Sequence, residues 1–259
     1  MLRWMLNHLP SAILVISALL LTLLVGAVAE KVSDWTLRTR TGDQRRAVND
    51  MLKTAIGFIG ISSAIITGIV LSNQRDALAE GTSNVAAEAS AIAGIRDIAL
   101  DLPQLDGRRL VTALQAYATA EVGPGWQSLR RGRSSPIVER TYRALGQAIL
   151  AIPSADARLS LMQSSAFGSW RTIGDLRASR LQIANRELAP ELWWLFIGTG
   201  LITVVVVAGL TADDRTDRLA TLAAAITVGL IFFAAAGLSY PFSGSIAVSP
   251  RPITQSAHT

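Results

Sequence analysis

TAIGFIGISSAIITGIVLS, residues 54–72, is the stretch on which the reading of this chain turns. It is an uncharged run of about 19 residues, and at roughly 1.5 Å per residue a helix of that length crosses a bilayer core of about 30 Å. Unlike the Leu- and Val-rich runs elsewhere in the chain, it is full of Gly, Ser and Thr. Gly60, Ala64 and Gly68 recur every fourth residue and stack on one helix face, with Ser63 and Thr67 on a neighbouring stripe. Small residues of this kind pack helices closely. The alternative use is a polar lining for a permeation path, made by Ile56, Gly60, Ser63, Thr67 and Val70.

Working outward, three further apolar runs have spanning length: about 11–29, 192–211 and 219–239. The chain is 50% hydrophobic and 17% charged over 259 residues, and the apolar residues are clumped into these runs. Residues 73–190 have ordinary soluble composition. The expected fold is therefore all-α: a polytopic membrane protein with four transmembrane helices and a helical soluble insert between spans two and three. Its expected parts are 1–74, with spans one and two and a charged loop; 75–190, the insert; and 191–259, a transmembrane hairpin and short tail. The small residues Ala27-Val28-Ala29 suggest a cleavage site, but the apolar run before them exceeds a usual signal-peptide core, so the first span is expected to be retained.

Residues 30–53, with Lys31, Arg38, Arg40, Arg45, Arg46 and Lys53, read as a solvated cytoplasmic loop held by the positive-inside effect, a count that by itself would put the following insert outside. Beyond Asn73 the pattern becomes amphipathic without a strong breaker, so the second helix is expected to run on. Val85, Ala89, Ile92 and Ile95 form its apolar stripe, and Asp101-Leu102-Pro103 ends it. Leu110, Leu114, Tyr117 and Glu121 share a face of the next helix, closed by Gly123-Pro124-Gly125. Arg130, Arg131 and Arg133 make a basic loop before a helix over about 137–151. Pro153 breaks that helix, and Ser154 is expected to cap a long one running to Ala189, with Met162, Ala166, Trp170 and Ile173 as its seam. Arg171, Arg177, Arg180 and Arg186 crowd its later half as an ion-paired surface, with anion attraction as the second reading. Pro190 opens the third span, and the short loop TADDRTDR (211–218) makes spans three and four an antiparallel hairpin. After the fourth span, Ser243-Gly244-Ser245 is turn chemistry whose backbone N–H groups can point at an anion. The last residues, TQSAHT, read as frayed.

Several function classes drop out. There is no cysteine, and the two histidines, His8 and His258, lie near the two ends, so thiolate chemistry and imidazole-based catalysis have no residues to use. No phosphate-binding loop, dinucleotide fingerprint or zinc-protease motif occurs, and the acidic residues lack metal-ligand spacing. No cofactor, metal site or enzymatic activity is expected. No ionisable residue lies in the central part of a span, which argues against proton relays and ion-coupled transport. The net charge of +5 fits topology and contact with anionic headgroups better than nucleic-acid binding.

Certain residues also resemble a known family. Ala47-Val48-Asn49-Asp50 before a Gly-rich second span, NVAAEASAIAGIRDIALDLP (84–103), LVTALQAYATAEVGPGW (110–126), the Arg177/Arg180 segment and YPFSG (240–244) resemble the bacterial bestrophin-like family (the uncharacterised domain DUF4239). Gly123-Pro124-Gly125 before Trp126 departs from that family's acidic-Trp pairing. The resemblance implies a homo-oligomer, pentameric as in bestrophins proper, that passes small inorganic anions along a path lined by the second span. It implies a bacterial inner-membrane location, membrane lipids as partners, and a cytosolic insert 75–190, a side that Arg171, Arg177, Arg180 and Arg186 near span three also favour. Calcium gating is not implied, because no acidic clasp is visible. The competing expectation is a non-conducting scaffold whose insert binds proteins or lipids.

Overall fold

In the computed structural model the described residues are 11–37, 42–153, 156–186, 189–210, 218–244 and 246–258. They form α1 (Ser11–Leu37), α2 (Gly42–Asp101), α3 (Gln104–Ala120), a π-helical turn (Glu121–Gly125), α4 (Trp126–Arg130), α5 (Pro136–Leu150), α6 (Ala157–Asn185), α7 (Pro190–Leu210), α8 (Arg218–Leu238) and α9 (Arg251–His258). No strand occurs among them. Helices α1, α2, α7 and α8 are long and apolar enough, by length and composition, to cross a membrane. The chain divides into two compact units: Met1–Asp76 with Leu188–Ser239, and Ala77–Glu187 with Tyr240–Thr259.

In the first unit, α1 packs against both α7 and α8. The close approaches are made by glycines outside the 54–72 stretch. A Cβ on Gly229 would meet Thr22 Oγ1 at 2.8 Å, and one on Gly200 would meet Phe232 at 2.7 Å. Small residues at such crossings let helices pack where no hydrophobic force drives them together. Thr22 is fully buried and its hydroxyl donates to the Ala18 and Leu19 carbonyls of its own helix, so it enters an apolar interface without an unmet hydrogen bond. Gly60 and Gly68, by contrast, have nothing within 4 Å of an added Cβ among the described residues. Close packing within the chain is therefore not what the Gly60/Ala64/Gly68 stripe does.

The second unit holds an all-helical core in which Val85, Ile92, Ile95, Leu110, Leu114, Leu145, Ile149 and Ile173 are buried. All four members of the predicted α2 stripe are buried, Val85, Ile92 and Ile95 in this core, as are Ala166 and Ile173 of the α6 seam. The tail belongs here and not with the membrane hairpin. Phe242 packs edge-on against Trp126 at 5.6 Å between centroids, and Ile253 and Ala257 of α9 are buried. Of the residues expected to fray, Thr254–His258 are thus part of a docked helix, held also by Arg96 Nη1 donating to the Ser256 carbonyl at 3.2 Å, and Thr259 lies outside the described residues.

Several boundaries differ from expectation. The connection 30–53 is largely helical, because α1 runs to Leu37 and α2 begins at Gly42. Charged residues with high helix propensity extend a helix past the membrane as readily as they end it. Gly123-Pro124-Gly125 does not close α3. The backbone passes through the five-residue π turn, and Pro124, lacking an N–H, sits where a widened ladder tolerates it. α6 ends at Asn185, and Asp156 is its N-cap, accepting from Leu159 N at 2.8 Å. The expected cap Ser154 lies outside the described residues.

At the corner between α2 and α3, a Cβ on Gly107 would press directly on the Ala99 carbonyl oxygen. That neighbour is backbone and cannot rotate away. Gly107→Ala is expected to destabilise the second unit by about 1–3 kcal/mol, as overpacking does. Gly60→Ala should leave monomer stability unchanged or slightly raised. Chemical denaturation of the two variants in detergent measures both.

Candidate functional site

The residues of 54–72 divide sharply by exposure. Phe58 (76% exposed), Ile61, Ile65 and Ile69 form an exposed face of α2, continued by Gly57, Ala64, Gly68 and Ser72. Val70 is 1% exposed and packs with Phe196 of α7 and Ala235 of α8, with Ile66 and Phe232 against them. At about 100° per residue, Ile56, Gly60, Ser63, Thr67 and Val70 lie on the opposite side of α2 from Ile65. Ile56, Gly60, Ser63 and Thr67 are half-buried there. Val70 therefore does not line an open surface of the subunit. Its methyls are drawn into the Phe196/Ala235 cluster, the largest apolar contact available to that face. The end of the stripe is closed by Gln74, whose Nε2 donates to Ser239 Oγ at 2.7 Å.

The turn after α8 is also spoken for. Gly244 has φ 86°, which favours glycine. Ser243 is buried, its N–H donates to the Tyr240 carbonyl at 2.9 Å, and its hydroxyl donates to the Arg130 carbonyl at 3.2 Å. The Ser243 N–H expected to meet an anion, and the hydroxyl beside it, are both engaged by the protein's own backbone. Ser245 lies outside the described residues.

Arg177 and Arg180, read as part of an ion-paired surface, are ion-paired but lie in a buried cluster in the second unit. Arg180 is 1% exposed and pairs with Glu88 of α2 and, at 2.8 Å, with Glu121 of the π turn. Tyr117 of α3 donates its hydroxyl to Glu88. Arg177 Nη2 donates to Glu139 Oε2 at 3.3 Å, and its Nε lies 3.7 Å from Glu121 Oε2. Its guanidinium also sits 4.7 Å from the Tyr142 ring centroid, a cation–π distance. Tyr142 stacks on Trp170 at 4.8 Å and 13°, and the two exchange hydrogen bonds with each other's backbone carbonyl. Two guanidinium groups therefore face three carboxylates, two of them buried. Burial pushes the Glu88 carboxyl up from 4.5 to about 7, against the pull of Arg180, and the Glu121 carboxylate adds to the rise. Burial and the same two carboxylates hold Tyr117 well above the ordinary phenol range.

Sequence reading found the faces of this cluster but not the cluster. The signal was present: Glu88 falls between Val85 and Ile92 at helical spacing, and Arg177 and Arg180 continue the seam after Ile173. A charge at a seam position marks a buried pair, and only the packing says with whom.

Removing Arg180 takes from buried Glu88 its guanidinium partner and leaves Glu121 to the more distant Arg177. Arg180→Ala is expected to cost about 3–5 kcal/mol, measured by denaturant unfolding. Because the Glu88 carboxyl is raised in the folded state, its contribution is fully present below pH 4.5 and is lost as pH rises through about 7. Stability should therefore decline across that window, and Glu88→Gln should flatten the decline. A pH series of melting curves for the two proteins tests the sign.

A family model, the Bestrophin-like domain, matches residues 23–253. Solved structures resemble the fold over nearly its whole length. One mutant of a bacterial bestrophin homologue from Klebsiella pneumoniae superimposes with a TM-score of 0.69 at 14% identity, covering 95% of this chain and 98% of that one. A second mutant gives 0.68 at 16% identity over 94% and 97%. The Klebsiella pneumoniae homologue phased on zinc gives 0.67 at 16% identity over 93% and 95%. No curated protein matches the chain. Four membrane-length helices, an all-α architecture and a family model spanning most of the sequence lead to one conclusion: this is a multi-pass membrane protein of the bestrophin-like family.

Proposed function

We propose that the chain forms a homo-oligomeric ring, a pentamer as its resemblance implies, in which α2 of each subunit lines a central path for small inorganic anions. The observation that carries the reading is the exposed face of α2. Phe58, Ile61, Ile65 and Ile69 present large apolar side chains every third or fourth residue, with small residues between them. Brought together around an axis, such a face makes a narrow apolar constriction that lets a weakly hydrated anion pass without trapping it. Ile56, Gly60, Ser63 and Thr67 then form the wall behind the path, and Val70 anchors that wall to α7 and α8. The family supports a channel. The absence of ionisable residues from the central parts of the spans supports passive flow rather than coupled transport.

We place the protein in the bacterial inner membrane among lipids, with the insert cytosolic. Arg171 and Arg186, both exposed and close in sequence to α7, support that side. The chain's lack of cysteine makes the topology directly testable. A cysteine at exposed Ser160 should react with an impermeant maleimide only after the membrane is opened. Labelling of intact cells would reverse the orientation.

Purified protein in planar bilayers under a potassium chloride gradient should carry current that reverses near the chloride equilibrium potential. Ile65→Thr should raise conductance severalfold by wetting the constriction, while Val70→Ala should lower stability by about 1–3 kcal/mol and leave conductance near wild type. Reversal near the potassium potential would sink the anion assignment. An intact oligomer without current would favour the scaffold.

A further inference from the structure

A cavity of about 200 Å³ lies beside the ionic cluster in the second unit, and its lining includes Arg133, Ser134, Ser135, Val138, Arg177 and Arg180. It sits at the N-terminus of α5, a helix of 15 residues whose N-cap Ser135 lends no side-chain hydrogen bond. Pro136 occupies the first helical position and has no N–H, so the Ile137 and Val138 amides begin the helix without a side-chain cap. A helix N-terminus is a weak feature alone. Here a second observation points the same way: Arg180, 1% exposed and lining the cavity, pairs through Nη1 and Nη2 with Glu88 and Glu121, but its Nε–H has no hydrogen-bond partner among the described residues. A buried guanidinium donor is not left unmet without cost.

The charge balance of the lining favours an anion. Glu121 and Glu139 also line the cavity, but each is already engaged. Glu121 lies against Arg180 and Arg177, and Glu139 against Arg177 and Arg143. Arg133 is exposed and has no carboxylate partner among the described residues, so it is the surplus charge. A guanidinium fork, a hydroxyl pair at Ser134 and Ser135, and helix amides offer divergent donors. These match several oxygens of one tetrahedral group better than a single halide. The cavity has room for one such group and its hydration.

We propose that this cavity binds a small phosphate-class oxyanion, held between the Arg133 guanidinium, the first turn of α5 and the Arg180 Nε–H. The ligand is free orthophosphate or the phosphomonoester headgroup of a lipid; the recognition chemistry is the same. The site is in the insert and does not depend on whether α2 conducts.

The test uses the full-length protein in detergent, titrated with orthophosphate against chloride at matched ionic strength, by calorimetry and by thermal unfolding. The wild type should give saturable heat and a rising Tm with phosphate. Arg133→Gln, which removes an exposed side chain without a carboxylate partner, should fold normally and bind about tenfold more weakly, the loss of one charge-assisted contact. A parallel arm reconstitutes both proteins in nanodiscs with and without phosphatidic acid. Raised Tm in the wild type alone with phosphatidic acid, competed by orthophosphate, assigns the site to a lipid headgroup. A response to orthophosphate only assigns it to the free ion. No response beyond matched chloride in either arm, or equal binding by Arg133→Gln, overturns the proposal. Binding is read without current, so a silent bilayer does not bear on it.

Discussion

A guanidinium taken almost wholly out of water has to be neutralised where it lies, and the second unit is arranged so that this happens to Arg180. The carboxylates that meet it come from α2 and from the π turn after α3, segments far apart in sequence. A register that slid α6 along its neighbours would leave three buried ionic groups unpaired, at a cost of several kcal/mol. An apolar residue of similar volume would serve the core equally well on energy alone. Tyr117 and the Tyr142/Trp170 stack extend the same logic, since each polar tip there has a partner and each ring fills the core.

Helix α2 belongs to both units and meets two different demands along its length. About 90 Å of continuous helix follows from its 60 residues. Within residues 54–72 it carries no charge on any face, as a lipid environment requires, and its faces differ in side-chain size and in the hydroxyls of Ser62, Ser63 and Thr67. Its second part is amphipathic, with one stripe buried in the core and a glutamate set inside that stripe. The π turn solves a related problem on α3. By admitting Pro124 without ending the helical path, it carries the chain from Glu121 directly to Trp126, whose ring lies 5.8 Å from the Arg180 guanidinium carbon.

Much of this architecture was legible in residue order. Apolar runs of spanning length, proline at 190 and the loop at 211–218 predict the spans. The stripes of α2 and α6 follow from spacing alone, because helix geometry converts spacing into a face without reference to the rest of the fold. Helix ends were less legible, as at Leu37, Asn185 and Arg251, because docking against a core overrides weak local signals.

What the sequence by itself determined is the solvent of each segment and the face of each helix that avoids water. Both are properties of side-chain transfer and helical period. What only the tertiary structure decided is which of two plausible faces of 54–72 packs inward and which stays exposed. The Gly/Ser/Thr stripe and the Phe58–Ile69 face are both uncharged, so neither has a solvation preference strong enough to decide the matter. Val70 meeting Phe196 and Ala235 decides it. The same holds for Arg177 and Arg180. Their charge is written in the sequence, but whether a charge faces water, an anion or a glutamate depends on what three other helices bring within about 4 Å of it.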